Sequence, residues 1–406
     1  MISFRALKEK VNWKATAPSI LIVINSFVWY IFTYAIFSNI LNEMVVSDTD
    51  RMILYATYFV SVAFTAILGA KLFPRARNKS LYAWLFIGAI ATSLLIIISS
   101  ENMLVNTGIA FFLGASVGIG LPSCLSYFAD STLVENRGFV GGIIWSSVGF
   151  VSLIVAFLIN MLGLWEAIIV LTAWRLLGGA SFMALNRKHE KLSLEKAPSY
   201  LELIRNRQIM LYLFPWVMFT IINFAEAPIL EKVFGEELFI FYQLVQWVLV
   251  GIVATIGGFI ADIAGRKRVV IAGFVMLGIE YAAMSAFHES SATLYLFLVL
   301  DGITWGLLFS VFFTALWGDL GENREKEKYY TLGGLPFLLS SFLYVIIKPL
   351  VGYITPSSAF SFASFFLFLA VLPLMYAPET LPEKKIKERE LKGYLEKAKK
   401  EAEKYS

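Results

Sequence analysis

At 406 residues, 58% of them hydrophobic and 16% aromatic, with a mean hydropathy of +0.71, the chain carries far more apolar side chain than a water-soluble core can bury. That composition excludes a soluble domain and indicates an integral membrane protein. The formal net charge is only +4, and a single cysteine, Cys124, excludes a disulfide framework or a cysteine-based metal cluster.

Apolar segments of about 20 residues, each able to cross roughly 30 Å of hydrocarbon as a helix, follow one another at 17–40, 51–73, 80–98, 103–129, 138–161, 163–185, 208–230, 237–261, 268–287, 292–317, 330–354 and 357–377. Their hydrophobicity is continuous, whereas the strands of an outer-membrane barrel alternate apolar with polar. The expected fold is therefore all-α, with about twelve transmembrane helices, numbered here as spans 1 to 12. Of the 34 lysines and arginines, all but Arg51, Arg175, Lys232 and Lys348 fall in the N-tail, at 71–79, at Arg137, in the loop 186–207, at 266–268, at 324–328 or in the C-tail. Short cytoplasmic loops collect cations, so both termini of this multi-pass cell-membrane protein are expected in the cytoplasm. The charge is then a topological signature and asks for no nucleic acid. The first 17 residues are basic, but the apolar run after them is span-length and lacks a small-residue cleavage site, so no cleavable signal is expected.

The chain divides in two. A polar stretch at 186–207, "NRKHEKLSLEKAPSYLELIRNR", separates an N-terminal six-helix bundle at 17–185 from a C-terminal one at 208–378, with a cytoplasmic N-tail at 1–16 and a charged tail at 379–406. Gly69 and Gly258 end spans 2 and 8, Asp130 and Asp319 end spans 4 and 10, and both pairs are 189 residues apart. Two landmarks at one offset point to pseudo-symmetric halves, an architecture with which transporters alternate access.

Between spans 8 and 9 the sequence reads Gly258-Phe-Ile-Ala-Asp262-Ile-Ala-Gly265-Arg266-Lys267. This resembles the G-x-x-x-D-x-x-G-R-[KR] signature of the major facilitator superfamily, and the 6 + 6 spans, the basic central loop and the acidic residues followed by Arg after spans 4 and 10 ("ADSTLVENRG", "GDLGENRE") extend the likeness over most of the chain. Physically, Gly258 admits a neighbouring backbone, Gly265 permits a tight turn, and Asp262 can face the positive end of a helix in the other half. With Arg266 pairing to Asp319, and with Asp130 and Arg137, these residues form an expected cytoplasmic gate. The first-half counterpart, "GAKLFPRARNKS", has Phe73 and Ala76 where the Asp and second Gly would stand, which argues against a symmetric pair of latches. The Gly-Pro and Gly-Gly of drug/proton antiporters are missing from "GGIIWSSVGFVSLIV" in span 5. "APETLPE" after span 12 resembles sugar porters, whose element after span 6 is absent. No P-loop Gly-Lys-Ser/Thr occurs, so no ATP site and no cofactor are expected.

The resemblance implies that spans 1, 4, 7 and 10 line a central cavity, flanked by 2, 5, 8 and 11. Ionisable residues inside a membrane are costly enough to be site candidates. Asp301 in span 10 lies near the midplane, where lost hydration favours its protonated form, and Trp305 follows one turn on. Glu226 and Lys348 fall at similar depth in spans 7 and 11 and could pair as an outer gate. Asn25, Tyr30 and Tyr34 in span 1, with Gln243, Gln246 and Trp247 in span 8, offer hydrogen bonds and stacking for a polar organic molecule. Glu280 and Arg175, on supporting spans 9 and 6, are read as structural. The expected function is secondary transport of a small-molecule solute by alternating access with proton symport, in a chain that works as a monomer in the lipid bilayer. The alternatives are a flippase-like carrier of lipids or amphiphiles, a drug exporter, and, remotely, a membrane enzyme using "GASVG" at 114–118. An enzyme would need a base, and the two histidines, His189 and His288, fall in the central loop and at the outer edge of span 9; a small-residue packing stripe explains the motif better. No metal site is expected. The tail, with Ile386, Leu391, Tyr394 and Leu395, is expected to be an amphipathic helix on the inner leaflet, dispensable for transport.

Overall fold

In a computed structural model, residues 11–99, 102–186 and 195–381 are described. The tail helix proposed around Ile386 to Leu395 lies outside the described residues, as does His189. Eleven helices among the described residues are long and apolar enough to cross a membrane. One of them, Asp48–Ile97, would extend about 75 Å if straight, more than twice the hydrocarbon thickness. It is broken by the 3-10 turn Phe73–Ala76, where Pro74 removes a backbone donor, into span 2 (Asp48–Leu72) and span 3 (Arg77–Ser93). The count is thus twelve, in agreement with hydropathy.

The remaining spans are 1 (Trp13–Glu43), 4 (Met103–Gly118 continued by Leu121–Asp130), 5 (Arg137–Met161), 6 (Leu164–Leu185), 7 (Arg207–Phe234), 8 (Glu236–Ala264), 9 (Arg266–Phe287), 11 (Glu327–Ile347) and 12 (Pro356–Tyr376). Span 10 is composite: an α-helix at Ser291–Leu308, a π-helical stretch at Phe309–Ala315 and a last α-turn at Leu316–Leu320. The π geometry leaves the Thr314 carbonyl to accept from the Tyr330 hydroxyl of span 11 at 2.6 Å. Phe309 stacks on Trp145 of span 5 with ring centroids 4.0 Å apart, and Phe312 stacks on Trp216 of span 7 at 4.9 Å. These three partners hold the wide stretch in place.

Packing is carried by small residues where backbones approach. In span 4, a Cβ on Gly114 or Gly118 would overlap the Tyr58 or Val62 carbonyl of span 2. Ser116 between them donates to its own helix at the Leu113 carbonyl, 2.7 Å away. The G-x-S-x-G pattern is therefore filled by packing. Spans 5 and 8, from different halves, lie together along most of their length. Gly138 meets Gly258, Gly142 meets Ala254, and Gly149 meets Gly251. On the opposite side spans 2 and 11 close the junction, with Phe59 and Phe342 ring centroids 5.1 Å apart.

Gly258→Val is a sharp test of this junction. Its Cβ would collide with the Gly138 carbonyl, and both partners are helix backbone that cannot rotate away. The expected cost is about 1–3 kcal/mol, read as a lower melting temperature of the purified protein. Gly334→Ala, where a Cβ has no neighbour within 4 Å, is the matched control and should not lower melting.

Candidate functional site

Between the halves lies a cavity of about 350 Å3. Its walls come from spans 1, 5, 7, 8, 9, 10 and 11, and among the described residues no charged side chain lines it. Tyr30, Tyr34, Trp247 and Trp305 contribute aromatic faces; Asn223, Gln243, Gln246 and Ser341 contribute neutral hydrogen-bonding groups. Its floor is the Trp145–Phe309 stack, with Phe27 tilted against Trp145 and Phe313 edge-on to both rings.

Asp301 stands directly behind this lining, 1% exposed. Its Oδ2 accepts from the Tyr242 hydroxyl at 2.7 Å and from Gln246 Nε2 at 2.6 Å, and its Oδ1 accepts from Trp305 Nε1 at 3.0 Å. All three donors are neutral and all three belong to the cavity wall. A change in the charge of Asp301 is therefore felt by the groups that would touch a solute, through one hydrogen bond each.

The cation-rich end is closed by buried ion pairs that cross between the halves. Asp262 accepts from the Gly138 and Phe139 backbone N–H groups at 3.1 and 2.7 Å, at the start of span 5, and bonds Arg266 within its own half. Arg266 Nε also reaches Asp319 at 3.1 Å, and Asp319 pairs with Arg137 of the other half. A second cluster mirrors the first. Asp130 pairs with Arg77 of its own half and with Lys326 of the other, and Arg77 also pairs with Glu327. Arg77 and Lys326 stand 189 residues from Arg266 and Arg137, the same offset as the acids they bind. Glu327 supplies from span 11 the carboxylate that Phe73 cannot, so the degenerate first-half loop still closes through Arg77. Glu379 accepts from the backbone N–H groups of Arg266 and Lys267 at 2.8 and 3.2 Å, capping span 9, and Lys267 Nζ donates to the Met375 carbonyl. Gly265, at φ 103°, makes the turn that places these groups.

Residues 243–403 match the family model of the Major Facilitator Superfamily. A variant of the E. coli fucose:proton symporter superposes with a TM-score of 0.69 at 12% identity, over 90% of this chain and 98% of that one. A Major Facilitator Superfamily transporter, FucP, in the outward conformation, gives 0.67 at 12% identity, over 90% of this chain and all of that one. The chain has the fold of these transporters, and its C-terminal part matches the superfamily's model. No curated protein matches the sequence.

Within the superfamily fold, the structure redistributes several expected roles. Tyr30, Tyr34, Gln243, Gln246, Trp247 and Trp305 meet at the cavity. Asn25 does not: its Nδ2 donates to the Trp174 carbonyl at 2.7 Å and its Oδ1 accepts from Arg175 at 3.0 Å, so it ties span 1 to span 6. The Glu226–Lys348 pair is absent. Span 11 begins at Glu327, earlier than hydropathy suggests, and ends at Ile347; Lys348 therefore lies in the following 3-10 turn with its side chain 55% exposed, and pairs with Glu231 at 3.2 Å. Glu226 stays buried with Oε2 unpartnered. Span 4, expected to line the cavity, contributes no lining residue because its small face is spent on span 2. Sequence reasoning missed Arg77, Lys326, Glu327 and Glu379. The first two were detectable from the repeat offset; the Glu379 cap was foreshadowed only by the sugar-porter-like "PET".

Proposed function

We propose that this protein is a secondary transporter that moves a small, uncharged, polar organic solute by alternating access, in symport with protons that bind at Asp301. The cavity carries the reading: it joins aromatic faces and neutral donors, which suit a hydroxyl-bearing molecule, to one carboxylate bonded through three wall residues. The bundles 17–185 and 208–378 rock about the 186–207 loop, and the ion pairs at the cation-rich end hold the state open to the other side. By the positive-inside bias that end faces the cytoplasm of the cell membrane, with both termini. A single chain encloses the whole cavity, so a monomer suffices. The fold neighbours are fucose:proton symporters, which makes monosaccharides the first solutes to test.

Proteoliposomes with an imposed pH gradient, acid outside, should accumulate a labelled neutral solute above equilibrium, and a protonophore should abolish the excess. Accumulation that ignores the pH gradient, or a preference for organic anions, would refute the reading. An uncharged aromatic lining also suits an amphiphile, so movement of a fluorescent lipid between leaflets is the paired assay. Both lateral junctions, spans 5 with 8 and 2 with 11, are closed over in this state, which favours a solute entering from water.

A further inference from the structure

Glu280, in span 9, is fully buried, and among the described residues neither carboxyl oxygen has a hydrogen-bond partner. Its supporting span suggested a structural role, but among the described residues it makes no ion pair. Span 9 packs on spans 8, 10 and 12. Span 10 runs antiparallel to it: a Cβ on Gly273 would meet Thr304 and Leu308, and the Tyr281 ring packs edge-on to Phe297 at 5.4 Å, so Glu280 lies level with Asp301. Span 8 brings Tyr242, whose hydroxyl already bonds Asp301. Neighbouring Tyr281 lines the cavity, and Glu226 on span 7 is a further buried carboxylate of this bundle. Span 12 offers Phe360 and Ser364, which do not titrate, and His288 lies just past the end of span 9, about two turns from Glu280. Among the described residues no lysine or arginine pairs with the group.

A fully buried carboxylate without a partner is far costlier ionised than as the neutral acid. Two carboxylates in one apolar site cannot both ionise. Asp301, with three donors pointing at it, is the partner built to carry the negative charge. Glu280 therefore keeps its proton in this state.

We propose that Glu280 is a second proton-binding site, a store behind Asp301 that exchanges its proton with the cavity by way of that residue. The pair never holds fewer than one proton and titrates as a unit. The link to transport rests on Asp301 as the coupling group; the stored proton does not.

Infrared spectroscopy of the purified, lipid-reconstituted protein at neutral pH tests this. The wild type should show the carbonyl stretch of a protonated carboxylic acid in a dry environment, Glu280→Gln should lose one carboxyl's share of it, and Asp301→Asn should keep it. On transfer to heavy water the band should shift about tenfold or more slowly in Asp301→Asn, since the exchange route is cut. Glu280→Asp, which moves the band without removing it, covers the case in which the Gln variant does not fold. If Glu280→Gln keeps the full protonated intensity, or if exchange in Asp301→Asn is as fast as in the wild type, the proposal fails. If the band behaves as stated while Asp301→Asn still accumulates solute on a pH gradient, the coupling reading fails and the proton store stands.

Discussion

Asp301→Asn abolishes accumulation driven by a pH gradient while counterflow of the same solute, driven only by its own exchange, remains measurable; this is the largest effect expected of a single substitution. Asn fills the same volume but does not take up or release a proton near neutral pH, so the coupling ion loses its site while the cavity keeps its shape. The amide oxygen, set in the place of Oδ2, can still accept from Tyr242 and Gln246, which reach that atom at 2.7 and 2.6 Å, while Trp305 loses its acceptor. The amide nitrogen cannot replace the second oxygen, so affinity for the solute falls somewhat as the wall relaxes, by about 1–3 kcal/mol at most. Uptake with and without the gradient, set beside counterflow in the same vesicles, separates the two losses. Gradient-driven accumulation equal to the wild type would show that Asp301 is not the coupling group, and Glu226, buried with a free Oε2, would take its place.

Arg266→Ala moves the resting population toward the state open at the cation-rich end. The guanidinium is completely buried, bonds Asp262, reaches Asp319 at 3.1 Å and donates to the Val134 carbonyl of the other half at 2.7 Å. Removing it leaves two carboxylates buried without their shared cation, a change that typically costs about 3–5 kcal/mol. The open state exposes the same groups to water and escapes most of that cost, so a shift of roughly 100-fold is expected. Asp262→Asn acts in the same direction more weakly, because the amide oxygen can keep one of the two bonds from Gly138 and Phe139. With Cys124 replaced, a cysteine at Ser310, below the Trp145–Phe309 stack, should react with an impermeant maleimide from the cation-rich end much faster in either variant. Unchanged labelling would remove the latch.

The number of helices was legible because continuous apolar length needs no partner to be read. The ion-pair cluster was legible in part, because Gly258, Asp262, Gly265 and Arg266 keep fixed spacings where span 8 passes into span 9. Facing was not legible. Spans surrounded by lipid and by other spans are apolar on every side, so no polar stripe says which residues look inward. Asn25 and Tyr30 share one helix, yet one ties spans together and the other meets the cavity. Lys348 was misplaced because a start shifted by three residues changes depth by about 4.5 Å. The second ion cluster hid behind a missing aspartate; its carboxylate, Glu327, comes from a different helix.

The π-helical stretch of span 10 decides where two acids on one rod point. Asp301 and Asp319 are separated by roughly five turns of ideal α-helix, which would set them in one line along the same side. A one-residue excess within Phe309–Ala315 retards the lower end by about 100°. The upper acid can thus serve the wall of its own bundle while the lower one meets Arg137 across the seam between bundles. The rod is in effect two cams on one shaft, keyed at different angles, and the aromatic collar of Trp145, Trp216 and Tyr330 fixes the key.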